Sequence, residues 1–283
     1  MSFSVLTNLS SMAAADQAGI NQTSLQKTFN RLSSGSRLQT GGDDAAGLGV
    51  VSALKGQIRS LSQSVRNAND GIGLAQTADS ALGQVGNLLN RASSLLSQAA
   101  NDTNSGNLSS INTELGEIYK EINRVGAGTN FNGISVFSAT ARSIFVGDTT
   151  NATIASQATI SFTVGALTAS GLGLTTGVSG SQQSVTVAIS TGAATMLSEV
   201  KSAIDSVATS RGSLGASMNR LQNSVGVMQS QIQNLTAASS QIADTNVAEE
   251  VSNMTKYQIL SQTSMAVMAQ ANSAAQQVLA LLR

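Results

Sequence analysis

The stretch LKGQIRSLSQSVRNANDGIGLAQTADSALGQVGNLLNRA, residues 54–92, decides the fold of this chain. Its apolar residues follow one another at steps of four and three, the spacing of the a and d positions of a coiled coil. Three of them, Ile72, Ala75 and Ala78, succeed each other in threes, which is a local register slip. The pattern predicts one helix from about Asp44 to Ala100, roughly 85 Å long at 1.5 Å per residue. The full set is Leu54, Ile58, Leu61, Val65, Ala68, Ile72, Ala75, Ala78, Leu82, Val85, Leu89 and Ala92.

Two more apolar seams of the same kind follow along the chain. The shorter seam consists of Ile111, Leu115, Ile118, Ile122 and Val125. The longer seam consists of Leu197, Val200, Ile204, Val207, Leu214, Met218, Leu221, Val225, Met228, Ile232, Leu235 and Ile242, with Arg211 and Ser239 as interruptions. Because three such seams can share one core, the sequence predicts a mainly α fold, a long antiparallel bundle or coiled-coil rod.

A different pattern lies between the second and third seams. Asn132-Gly133, between Phe131 and Ile134, is a tight-turn signal for a β-hairpin. Residues 138–191 then alternate Thr and Val with small residues, and glycine recurs at turn positions. We expect a small β-rich insertion there, belonging to the bundle or forming a short segment of its own.

Both ends of the chain carry apolar residues with few charges to keep them soluble. We expect the N-terminal set to fall on one helical face and the C-terminal set to form a broader band. Such surfaces need a partner, either each other or neighbouring copies of the chain, and alone the ends should be disordered. The sets are Val5, Leu9, Met12, Leu25, Phe29 and Leu32, and Ile259, Leu260, Met265, Met268, Val278, Leu279 and Leu282.

Composition excludes several classes of function. The 283 residues contain no Cys and no His, which removes disulfides, thiolate nucleophiles, Cys/His zinc sites and the usual general base near neutral pH. Lys plus Arg number 15 and balance 15 Asp plus Glu, so no basic surface for nucleic acid is indicated. No segment is long and apolar enough to span a membrane, and the first residues do not resemble a Sec signal peptide.

The segment RLSSGSRLQTGGDDAAGLG, residues 31–49, combines arginines, glycines and paired aspartates between two predicted helices. It lacks the Lys and Ser/Thr of a P-loop and the preceding strand of a dinucleotide site, and Asp43 and Asp44 would diverge on a helix. We therefore predict a joint, without a metal or cofactor. Gly35, Gly41 and Gly42 would allow its turns, and the aspartates at the start of the following helix would cap it.

Four motifs together resemble bacterial flagellin. They are LQKTFNRLSSGSRLQTGGDDAAGLGV (25–50), TNFNGISVF (129–137), RGSLGASMNRLQ (211–222) and QILSQTSMAVMAQANSAAQQVLALLR (258–283). The resemblance covers about residues 1–137 and 195–283 and implies a filament subunit that polymerises for motility and is not an enzyme. It implies terminal helices paired as an inner coiled coil with a spoke (1–43 and 244–283), a helical layer with the hairpin (44–137 and 192–243) and a variable segment (138–191). The spoke implies polar contacts with neighbouring subunits at Arg31, Arg37, Asp43 and Asp44, with helix capping as the alternative for the two aspartates. Flagellins often have a proline where Ala275 stands, so we expect this last helix to continue unkinked to about Leu282.

The same resemblance implies partners and a location. They are a flagellar export chaperone and export apparatus, filament cap and hook-junction proteins, and an extracellular position reached without a Sec signal. The resemblance also implies a contact with the Toll-like receptor that senses flagellins, at Arg91, Leu95 and Glu114. Asn90 and Ser94 depart from the family pattern in this region. The hook–filament junction protein, whose ends are similar, is the alternative within the same structural class. A metalloprotease in the variable segment would need histidines, which the chain lacks.

Overall fold

A computed structural model describes residues 8–101, 107–147, 158–175, 178–179, 186–187 and 192–281. Its helices are α1 (Leu9–Ser34), α2 (Ala45–Ala99), α3 (Leu108–Gly128), α4 (Ala193–Ala243) and α5 (Val247–Leu281). The predicted helix Asp44–Ala100 is confirmed to within one residue at each end. The last helix passes through Ala275 and reaches Leu281, while Leu282 lies outside the described residues. The predicted mainly α fold class is confirmed.

The chain divides into two compact units. One consists of residues 1–56 and 234–283, and the other of residues 57–233. The three-part division drawn from the resemblance, with limits at residues 43, 137, 191 and 243, stays a prediction.

The 57–233 unit has an ordinary hydrophobic core that α2, α3 and α4 share. Its largest fully buried side chains include Tyr119, Leu89, Leu96, Leu115 and Ile122. All residues of the three predicted seams are buried or half-buried, so the coiled-coil spacing correctly identified the inner faces. Burial of its ring, with the nearby negative charge of Glu199, raises the pKa of Tyr119 to about 12.

The hairpin predicted at Asn132-Gly133 is present. Strands β1 (Asn130–Phe131) and β2 (Ile134–Ser135) pair antiparallel. Asn132 and Gly133 both have positive φ, 50° and 76°, which a two-residue type I′ turn requires. Asparagine and glycine are the residues that tolerate this conformation, so the sequence selects the turn directly.

The predicted β-rich insertion also contains strands. β3 (Ser138–Phe145) pairs antiparallel with β4 (Thr159–Val164) through a register irregularity between Ser138 and Arg142. Two shorter strands, β5 (Val178–Ser179) and β6 (Thr186–Val187), pair with each other.

The chain after β4 lies directly on α3. The Ala169 amide donates a hydrogen bond to Asn123 Oδ1 over 2.8 Å. The carbonyl oxygen of Leu167 lies so close to Gly126 that a Cβ there would overlap it. A small residue at 126 and an amide at 123 therefore hold this segment on the helix.

Candidate assembly surface

Helices α1 and α5 pair within the 1–56/234–283 unit through a polar seam of small residues. Asn21 donates from Nδ2 to Ser264 Oγ over 3.1 Å, and Asn8 donates to the Ala271 carbonyl over 3.0 Å. The pairing is antiparallel, because residue numbers fall on α5 as they rise on α1. The buried residues of α1 are Ala14, Asn21 and Thr28, at 9%, 3% and 4% exposure. No large apolar side chain of α1 is fully buried among the described residues.

The large apolar side chains of this pair point outward instead. Leu9 is 77% exposed, and Met12, Phe29 and Ile259 are each about 60% exposed. The exposed set is Leu9, Met12, Ile20 and Phe29 on α1, with Val247, Val251, Ile259, Leu260, Met265 and Val267 on α5. On α5 these residues cover the broad side of the helix that α1 leaves exposed. A large exposed apolar surface of this kind marks a site where other chains associate.

The prediction of one apolar face on α1 was wrong. Leu25 and Leu32 are half-buried against α5, whereas Leu9, Met12 and Phe29 are exposed. The reason is spacing: Leu25 and Leu32 share the heptad register of Asn21 and Thr28, and Leu9 and Met12 do not.

The apolar residues predicted for the C-terminal helix also include both exposed and half-buried side chains. Ile259, Leu260 and Met265 are exposed, and Met268 is half-buried. Val5 and Leu282 lie outside the described residues, as do the side chains of Val278 and Leu279. Sequence reasoning missed the exposed residues Ile20, Val247, Val251 and Val267. Helical spacing could have found some of them, because Val247 and Val251 are four residues apart and Val267 stands beside Met268.

The joint after α1 is held by an arginine that serves two carboxylates. Arg31 Nη2 donates to Asp43 Oδ1 over 3.1 Å, and Arg31 Nη1 lies 3.9 Å from Glu250 Oε1 at the start of α5. Glu250 is 7% exposed, and its Oε1 accepts no hydrogen bond. Arg31 therefore provides the positive charge next to a carboxylate that is shielded from water.

Asp43 also organises the backbone of the joint. Its Oδ2 accepts hydrogen bonds from the Thr40 amide, the Thr40 hydroxyl and the Gln39 amide. These bonds, led by those from Thr40, and the bond from Arg31 hold the pKa of Asp43 below its usual value.

Asp44 caps α2, since its Oδ1 accepts from the Gly47 amide over 2.9 Å. Gly35 ends α1 in the left-handed conformation, at φ 70°. Gly41 and Gly42 have no positive φ, so the expectation that these two glycines were needed for unusual turns was wrong. The side chain of Arg37 is exposed and donates to the Ile242 carbonyl, while its own amide donates to the Ala243 carbonyl.

Of the three residues expected at a receptor contact, two are exposed and one is buried. Arg91 and Glu114 form an exposed ion pair, with Nη2 and Oε1 2.6 Å apart. Leu95 is only 4% exposed and belongs to the core, so its side chain is not available at this surface. The adjacent leucine pair Leu95-Leu96 is buried as a whole and belongs to the core cluster that also contains residues of α3 and α4.

Across the described residues, no group of three or more Asp or Glu side chains could hold a metal ion. In the same part of the chain, no helix has the length and apolarity needed to cross a membrane. What the terminal helices do present is a large apolar surface around a polar pairing seam. An exposed apolar surface of this size is typical of proteins that associate with other chains.

Comparison with known proteins gives the family. Residues 5–142 match the bacterial flagellin N-terminal helical region, and residues 197–282 match the C-terminal helical region. Flagellin of Bacillus subtilis (strain 168) is 33% identical over 305 residues, covering 98% of each chain. The flagellar filament 30.7 kDa core protein of Treponema maltophilum is 34% identical over 281 residues, which are 97% of this chain and 98% of that protein. A crystal structure of Bacillus cereus flagellin shares 30% identity, with a TM-score of 0.46 over 62% of this chain and 94% of that one.

The chain belongs to the bacterial flagellin family. It is a structural protein of the flagellar filament and not an enzyme.

Proposed function

We propose that the chain polymerises with copies of itself into the filament of a bacterial flagellum, and that the outward apolar side chains of α1 and α5 make the subunit contacts. The observation that carries this proposal is the exposure of Leu9, Met12, Ile259 and Met265, while the fully buried positions of the α1 seam are small or polar residues. Burying such side chains is the main favourable term in most protein association. One fully buried Ile or Leu contributes about 1.5–3 kcal/mol.

Polar contacts of the joint complete the proposed interface. Arg37 is the best candidate, because its side chain is exposed and makes a hydrogen bond to only one carbonyl, that of Ile242, among the contacts described above. Arg31, Asp43 and Asp44 already bond within the chain. We propose that these three residues fix the conformation of the joint, which neighbouring copies then contact.

The other partners follow from family membership. A flagellar export chaperone would cover the apolar C-terminal helix until assembly, the export apparatus would carry the chain out without a Sec signal, and cap and hook-junction proteins would bound the filament. Arg91 and Glu114 are the surface residues of the proposed Toll-like receptor contact. The two relatives described above are named flagellin and filament core protein, so they lend no support to the junction-protein alternative.

Seeded growth tests the proposal. The purified chain is mixed with short filament fragments, and electron microscopy and sedimentation follow the polymer. Ile259→Ser should raise the concentration of free chain that remains at equilibrium by about 10- to 150-fold, from the loss of one buried Ile. The matched control is Gln262→Ser, a change at an exposed polar position of the same helix that should stay within about twofold. A parent chain that never elongates seeds, or equal effects of the two changes, would refute the proposal.

A further inference from the structure

The fully buried seam positions of α1, where it pairs with α5, do not hold the large apolar residues expected of a two-helix coiled coil. Hydrophobic burial alone would turn Leu9, Met12 and Ile20 of α1 toward the apolar residues of α5. The structure instead buries Ala14, Asn21 and Thr28 and leaves the larger side chains exposed. Something other than apolar area selects which faces meet.

Asn21 is the best-placed residue to make this selection. It is 3% exposed and lies near the middle of α1. Its Nδ2 donates to Ser264 Oγ, and the Ser264 hydroxyl in turn donates to the Leu260 carbonyl of its own helix over 2.8 Å. Gln17 Nε2 lies 3.4 Å from Asn21 Oδ1, so both ends of the amide have partners. A buried polar side chain at a seam position is a known device for fixing how coiled-coil helices pair.

The other polar contacts between the two helices are one weaker bond beside Asn21 and several contacts near the ends of the pair. Asn8 bonds Ala271 at the start of α1, and Gln22 Oε1 accepts a longer bond from Ser261, 3.5 Å, at an exposed position. At the other end, backbone bonds from Arg37 to Ala243 and from Thr245 to Gly35 fix where the two helices begin to pair. The contacts at the ends restrict sliding, and of the two bonds in the middle the Asn21–Ser264 bond is the shorter and the more buried.

We propose that Asn21, through its hydrogen bond to Ser264, is a positioning residue that keeps the polar faces of α1 and α5 together and their apolar faces outward. Rotation of either helix would leave the Asn21 amide without its partner, and an unsatisfied buried amide is costly. The bond thereby prevents the chain from burying its own association surface. The use of that surface by other copies rests on the proposed function, and the choice of pairing face does not.

Thr28 provides a matched contrast. It is as buried as Asn21, at 4% exposure, and lies in the same heptad register. Its hydroxyl donates only within α1, to the carbonyls of Ser24 and Leu25. Truncating Thr28 therefore removes a similar polar group from the seam without removing a bond between the helices.

Disulfide trapping in the full chain tests the proposal, since the chain has no cysteine of its own. An inner pair, Ala14→Cys with Met268→Cys, lies on the faces that meet. An outer pair, Ile20→Cys with Ile259→Cys, lies on faces that point outward, each 58–59% exposed. Rates of cross-linking within one chain, separated by gel mobility from cross-links between chains, are measured at high dilution. They are measured again in seeded filaments diluted with unmodified chain.

The inner pair should cross-link at least about tenfold faster than the outer pair. Asn21→Ala should lower this ratio by about 5- to 30-fold, and Ser264→Ala, which keeps the Asn21 side chain, should lower it in the same direction. Thr28→Ala should leave it within about twofold. The proposal is overturned if Asn21→Ala and Ser264→Ala leave the ratio unchanged, or if Thr28→Ala lowers it equally. Because the ends of the free chain are expected to be disordered, equal rates of the two pairs in the parent overturn it when they are found both at high dilution and in the filament. Seeds that do not elongate would contradict the proposed function alone, because the ratio in the dilute chain is measured without polymer.

Discussion

Arg31 offers the sharpest quantitative test of how the joint supports assembly. Its guanidinium lies 3.1 Å from Asp43 Oδ1 and 3.9 Å from Glu250 Oε1, and the Glu250 side chain is 9% exposed. Arg31→Ala leaves the Glu250 carboxylate shielded from water without this neighbouring charge. Removing one partner of a fully buried pair costs about 3–5 kcal/mol. Arg31 is 29% exposed and its contact with Glu250 is long, so we expect about 2–3 kcal/mol here.

The assay is the free-chain concentration at the end of seeded growth, measured in the supernatant after sedimentation. A loss of 2–3 kcal/mol per subunit raises that concentration by about 30- to 150-fold. Arg124→Ala is the control: its ion pair with Glu121 is shorter, 2.5 Å, but Arg124 is 71% exposed. We expect at most about a twofold change for Arg124→Ala, because exposed helix pairs contribute about 0.3–0.5 kcal/mol.

A second variant distinguishes the effect of leaving the Glu250 carboxylate without a neighbouring positive charge from the effect of losing the packing of the Arg31 side chain. Arg31→Ala combined with Glu250→Gln removes the uncompensated carboxylate, and we expect it to recover about tenfold of the loss. If Arg31→Ala shifts the free-chain concentration by less than threefold, or if Glu250→Gln recovers nothing, the account of Glu250 as a buried charge that depends on Arg31 is wrong.

Three further predictions concern the 57–233 unit. Gly126→Ala should displace the Leu167 carbonyl at a cost of about 1–3 kcal/mol and speed amide exchange at Ala169, and unchanged exchange would contradict the docking described. The hydrogen bond from Arg211 lowers the pKa of Asp79 below 3.8, so this pair stabilises the fold above about pH 4 and the effect is lost on acidification. Asp79→Asn should therefore cost about 0.5–1 kcal/mol at pH 7 by chemical denaturation, allowing for exposure, and a difference that persists undiminished well below pH 3 would contradict this. Leu96→Ala, at a fully buried position, should cost about 2.7–5 kcal/mol in thermal unfolding, and a loss below 1 kcal/mol would mean that the core is looser than described.

Some parts of the fold could be predicted from the sequence, and the contacts of the candidate assembly surface could not. The seams of α2, α3 and α4 were predictable because large apolar residues recur at heptad spacing and the bundle buries them. The hairpin was predictable because Asn132-Gly133 supplies two positive-φ residues in succession. In both cases a local property of the chain determines the local structure.

The α1–α5 seam was not predictable in this way. Asn21, Thr28 and Ser264 carry no hydrophobic signal, and the contact between Asn21 and Ser264 joins residues far apart in the chain. The ion pair between Arg31 and Glu250 is equally distant in sequence, so only the folded chain reveals it. For α1, the apolar pattern assigned exposed residues such as Leu9 and Phe29 to the same face as the half-buried Leu25, because the fully buried seam positions are small or polar.

The way β3 and β4 pair has a consequence for engineering. Phe145 and Thr159 are partners at one end of this ladder, and the Val146 amide donates to the Ala158 carbonyl beyond them. Any peptide grafted between these positions therefore leaves and re-enters at neighbouring points, and each doubling of its length costs only about 0.6 kcal/mol in closure entropy. An insertion between Gly147 and Ala158 should therefore leave the β3–β4 ladder paired.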